Sequence, residues 1–75
     1  MISSTQIRAA RALLELNQAD AATLVGISTP ALSAIESGAS QARRSTLKRI
    51  RDAFESAGVR FLDADEDGGE GVRFK

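Results

Sequence analysis

The adjacent arginines Arg43 and Arg44, the amides of Asn17 and Gln18, and the hydroxyls of Ser28, Thr29 and Ser45 are the groups best placed to do chemistry in this chain. That chemistry is anion binding. A helix that begins at Gln18 or after Ser28 or Ser45 presents free amide hydrogens and partial positive charge, which suits a phosphate. Cysteine and histidine are both absent, which removes disulfides, zinc fingers and imidazole acid–base work. With no glycine-rich phosphate loop either, no catalytic group is evident, and the expectation is a non-enzyme without metal or cofactor.

One stretch imitates a metal site. Asp63-Ala64-Asp65-Glu66-Asp67-Gly68 matches the opening of an EF-hand calcium loop. That loop needs a bidentate glutamate at its twelfth position, which here is Phe74, and a helix on each side. Both requirements fail. The charge pattern suggests another use for these acids. Residues 1–51 hold seven bases and three acids (+4), and residues 52–75 hold three bases and seven acids (−4), so a net charge of zero conceals a dipolar molecule. Phosphates respond to the local field of the basic part, and the acidic part repels them from the opposite side.

Local signals along the chain mark the helices and strands that would hold these groups. Ser3 and Gln6 fit a capping box, so a first helix starts at Ser4 or Thr5, with Ile7, Ala10 and Leu14 on one face and Leu13 beside them. Gln18 to Val25 repeats apolar residues at Ala21, Ala22 and Val25, a helical spacing. Gly26 stops that helix, Ser28 caps the next, and Pro30 falls in its first turn. Leu32 and Ile35 point inward and Gly38 closes the segment. Two helices joined by so short a turn cross steeply and leave the outer side of the second exposed, a helix-turn-helix. Its outward positions are Ser28, Thr29, Pro30, Ser33 and Ala34.

Ser45 is the expected cap of a fourth helix, with Leu47, Ile50, Ala53, Phe54 and Ala57 inward and Gly58 as its C-cap. Lys48, Arg49 and Arg51 lie on its polar sides, the last two as solvated charges. Beyond Gly58 the period becomes two. Val59–Leu62 and Val72–Lys75 read as strands sharing the apolar face Val59, Phe61, Val72 and Phe74, joined by an acidic, glycine-rich loop. Such a hairpin is marginal alone, so it packs on the fourth helix as a lid or pairs with a second subunit.

In order and spacing, Gln6-Ile7-Arg8-Ala9-Ala10-Arg11, Asn17-Gln18, Gly26-Ile27-Ser28, Ile35-Glu36-Ser37-Gly38 and Ser45-Thr46-Leu47 resemble the phage-repressor and Cro-like (XRE) helix-turn-helix family over roughly residues 4–58. The resemblance implies a mainly α fold: a four-helix, lambda-repressor-like core over 1–58, followed by a β-hairpin or dimerising strands over 59–75. It implies that Arg11 pairs with Glu36, that Gln18 contacts a phosphate, and that the loop Ala39–Arg44 lies along the sugar-phosphate backbone. Ala21 departs from the family's usual leucine and leaves volume for Leu24 or Leu13 to fill.

The function expected is sequence-specific binding of double-stranded DNA by a homodimeric regulator, a repressor on a palindromic site. The DNA contacts are assigned to Asn17, Gln18, Ser28, Thr29, Pro30, Ser33, Ser37, Arg43, Arg44 and Thr46, and the dimer contact to Val59, Phe61, Val72 and Phe74. No arginine, lysine, asparagine or glutamine lies between Thr29 and Ser37, so base choice leans on Thr29, Ser33, DNA shape, water or the following loop. Two other readings suit the same residues: an antitoxin that also binds a toxin, and an interaction module that kept the fold, each with a second protein as partner. No apolar run reaches membrane-span length and no signal peptide is visible, which reads as cytoplasmic.

Overall fold

Ser3, Asn17 and Ser28 each accept, through a side-chain oxygen, the backbone amide three residues ahead, and each begins a helix there. The computed structural model describes all 75 residues. It contains α1 (Ser4–Leu13), α2 (Gln18–Val25), α3 (Thr29–Ser37), α4 (Arg44–Ser56) and two strands, β1 (Val59–Leu62) and β2 (Gly71–Phe74). Four helices and a C-terminal hairpin are the mainly α architecture expected.

The turn between α2 and α3 rests on Gly26, whose φ of 85° a side chain would strain. Its amide and that of Ile27 both bond the carbonyl of Ala22. Arg49 completes this end. Its guanidinium donates from Nε to the Val25 carbonyl and from Nη2 to that of Gly26, both at 3.1 Å. The expectation of a merely solvated Arg49 is therefore corrected: the cation sits on the carbonyl end of α2, where the helix dipole favours it. The fourth helix also differs from expectation. It starts two residues early, with Arg43 at the N-cap and no side-chain cap bond, so Ser45 lies inside the helix and caps nothing. At the other end Ala57 is the exposed C-cap, and Gly58 follows with φ of 106°.

The core is one cluster. Ile7, Ala10, Ala21, Leu32, Ile50, Phe54 and Val59 are fully buried, and Phe61 sets its ring edge-to-face on Phe54 at 6.3 Å. Leu13 packs against this cluster from its margin, whereas Leu24 stays 41% exposed and fills nothing. The strands pair antiparallel within the chain, with Val59 opposite Phe74, Arg60 opposite Arg73, Phe61 opposite Val72 and Leu62 opposite Gly71. Directly opposed residues share a face. Val59, Phe61, Val72 and Phe74 therefore form one side, as their alternation suggested, and that side packs on α1 and α4. Its use as a dimer contact is constrained accordingly. Val59 and Phe61 are committed to the chain's own core and Val72 is half-buried, leaving only Phe74 (55% exposed) open.

Gln6 ties the hairpin down. Its Oε1 accepts the Ser3 amide in the capping box, while Nε2 donates to the carbonyls of Leu62 and Gly71, each at 3.0 Å. Glutamine and glutamate serve a capping box equally. They differ here, because a carboxylate has no hydrogen for two half-buried strand carbonyls. Gln6→Glu should cost about 2 kcal/mol in urea unfolding, the price of two unsatisfied acceptors facing a charge. A change below about 0.5 kcal/mol would mean that the amide does not hold the hairpin.

Candidate nucleic-acid interface

Among the four helices, α4 alone has no side chain closing its N-terminus. Its first amides have no intrahelical acceptor and face solvent beside Arg43 and Arg44. Both arginines are exposed, and neither takes part in any of the chain's three ion pairs, Arg11–Glu36, Lys48–Asp52 and Arg51–Glu55. Two free guanidinium groups beside open amides have the chemistry to hold an anion.

The exposed side of α3 adjoins that end of α4. Ala31 and Ala34 share a groove of about 360 Å³ with Gln41, Arg43 and Thr46. Thr29, Pro30 and Ala31 are exposed at the N-terminal end of α3, and the Thr29 hydroxyl is free of intrachain hydrogen bonds. Ser33 is half-buried. The Ser28 hydroxyl holds the Ala31 amide at 3.2 Å, and Ser37 is occupied with its own helix end, donating to the Ala34 carbonyl and accepting from the Ala39 amide. Ala31, Ala34, Arg43 and Thr46 thus line one groove and Thr29 is exposed at the start of the same helix, while Ser28 and Ser37 have local structural work.

The surface is positioned by a buried ion pair. Glu36, 2% exposed, receives Arg11 Nε and Nη2 in a bidentate contact with a closest approach of 2.9 Å, as the family resemblance implied. Arg11 also donates to the Leu16 carbonyl, and Arg8 donates to the backbone carbonyl of Glu36. Gln18 joins this network, with Nε2 donating to Glu36 Oε1 at 3.2 Å. Its side chain therefore anchors α2 to α3, and one Nε2 hydrogen and the first amides of α2 remain for a phosphate. Asn17 is exposed and holds the Asp20 amide at 2.8 Å as the N-cap of that helix.

Gln41 was reachable from sequence as the only glutamine in the loop after α3. It is exposed on the groove rim, and its amide offers a paired donor and acceptor. In the acidic loop, Asp65 Oδ1 accepts the amides of Asp67 and Gly68, so the carboxylate that opens the apparent calcium motif supports a turn. No helix is long and apolar enough to cross a membrane. Compared with known protein families, residues 7–57 match the model described as helix-turn-helix. No curated protein matches the chain.

Proposed function

This chain belongs to the Cro- and repressor-like helix-turn-helix family, whose members bind DNA and regulate transcription, and we propose that it is a sequence-specific repressor acting as a homodimer on a palindromic site. The observation that carries the reading is the groove that joins Ala31 and Ala34 of α3 to Gln41, Arg43 and Thr46 at the open end of α4, with Thr29 exposed at the start of α3 and Arg44 free of any ion pair. In this reading α3 enters the major groove. Arg43, Arg44, Thr46 and the first turn of α2 at Asn17 and Gln18 hold phosphates on either side.

The chemistry follows from what each group offers. Thr29 donates or accepts one hydrogen bond at a base edge, Pro30 and Ala31 meet a thymine methyl, and Ser33 stands behind them. Gln41 supplies the bidentate contact that α3 lacks. A dimer presents two reading helices about 34 Å apart on one face of the duplex, which favours an inverted repeat. Repression then needs only occupancy, and no group on the chain is assigned to catalysis.

Selection from a random DNA pool tests this reading and supplies the operator. An inverted-repeat consensus is expected. With that operator, Thr29→Ala and Gln41→Ala should each relax preference at one position by about 1–2 kcal/mol while leaving affinity for random DNA unchanged. Equal losses on operator and random DNA would remove both residues from base reading. Failure to enrich any sequence would remove the specific-binding reading itself.

A further inference from the structure

The solvent side of the hairpin carries an ordered charge pattern that the DNA reading does not use. Arg60 and Arg73 lie directly opposite each other across the strands and are both exposed. Like charges so placed repel unless an anion lies over them. Neither forms an ion pair within the chain, nor does Lys75, and all three line one open groove of about 640 Å³ with the Arg51–Glu55 pair and with Asp63, so the bases outnumber the acids there by four to two. One step toward the turn comes the pair Leu62 and Gly71, on the same side. Leu62 is half-buried, and a side chain built on Gly71 would meet nothing within 4 Å, so the space opposite Leu62 is open. Next comes the turn, with Asp63, Asp65, Glu66, Asp67 and Glu70 and no base. Its tip is ordered by paired bonds between Asp65 and Gly68 and by the Asp65 side chain, which leaves Asp63, Glu66 and Asp67 free.

Along this side the order is therefore acidic, apolar, basic. A surface ordered in that way complements itself when one copy is turned end over end. We propose that two copies of this chain dock through the solvent sides of their hairpins, antiparallel, about a two-fold axis at Leu62 and Gly71. The acidic turn of each copy lies over Arg60, Arg73 and Lys75 of the other, and Leu62 fills the open space beside glycine. The contact is isologous and closes at two subunits. The proposal rests on the homodimer part of the reading above and not on the DNA contacts. It also replaces the inner-face contact, of which only Phe74 is left open.

Charge exchange tests it, read by sedimentation equilibrium of the full chain. The wild type should dimerise at about 50 mM salt and weaken at least tenfold at about 500 mM, because exposed pairs are screened. Arg60→Glu with Arg73→Glu should lose dimerisation at least tenfold, and so should Glu66→Lys with Asp67→Lys. All four positions are exposed, and circular dichroism should show both variants folded. Mixed in equal amounts, the two variants should associate more tightly than either does alone, since the four exchanged positions then meet with opposite sign while the unchanged acidic turn of one still meets the unchanged Arg60 and Arg73 of the other. A wild type that stays monomeric to about 0.5 mM overturns the proposal. So does a dimer insensitive to both variants, or a mixture that stays monomeric. An insensitive dimer would leave the homodimer reading intact on another surface, whereas a monomer, also when bound to operator, would remove both.

Discussion

Glu36→Ala should destabilise the fold by about 3 kcal/mol, enough to remove much of the stability available to so small a domain. The carboxylate is 2% exposed and accepts three side-chain N–H groups of Arg11 and Gln18, so its loss strands the 25%-exposed guanidinium and an amide donor between α1, α2 and α3. Partial exposure of Arg11 holds the figure at the lower end of what breaking a buried pair costs. The thermal midpoint should drop by roughly 15 °C, at several degrees for each kcal/mol. A control separates charge stranding from lost volume. Replacing both partners, Arg11→Met with Glu36→Leu, should recover more than half of the loss, because no buried charge is then left uncompensated. If the double variant is no more stable than Glu36→Ala, the penalty comes from packing, and the ion pair does not hold the three helices together.

Replacing Arg43 and Arg44 together by alanine should weaken binding to all duplexes alike. Both side chains are exposed, neither has a carboxylate partner, and both flank the uncapped end of α4, so their removal leaves the fold unchanged. Each phosphate contact contributes about 0.9 to the slope of log affinity against log salt, so losing two should reduce the slope by about 1.8 per protomer. At about 0.1 M salt the affinity should fall roughly tenfold for each arginine. Operator preference, the ratio of specific to random binding, should stay within about a factor of two, since phosphates carry no base identity. An unchanged slope would take both out of the DNA contact. A collapse of preference alone would make these arginines base readers.

The helices were legible because their signals are local. Ser3 with Gln6, Asn17 and Ser28 announce helix starts, and the two glycines at 26 and 38 announce their ends with left-handed backbone. The strands' alternation placed Val59, Phe61, Val72 and Phe74 on one face, which the register confirms. Helix α4 was misread at its start because serine is the better cap in isolation. With Arg43 at the cap, the spacing from Leu47 to Ile50 and Phe54 still turns the apolar stripe inward. Of the residues assigned to the proposed interface, Arg43, Arg44 and Thr29 are exposed, whereas the Gln18 side chain is held inside by Glu36.

The sequence on its own was enough to mark which segments are helical, where they turn and which sides are apolar. These follow from backbone preference and periodicity over a few neighbours. Only the tertiary structure decided the partners of polar side chains that could serve either solvent or the fold. Gln6 reaches carbonyls 56 and 65 residues away, and Arg49 reaches back 24 residues to the end of α2. Such bonds depend on how finished elements dock. A long polar side chain carries no mark of whether a buried carbonyl will come within reach once the apolar faces have closed.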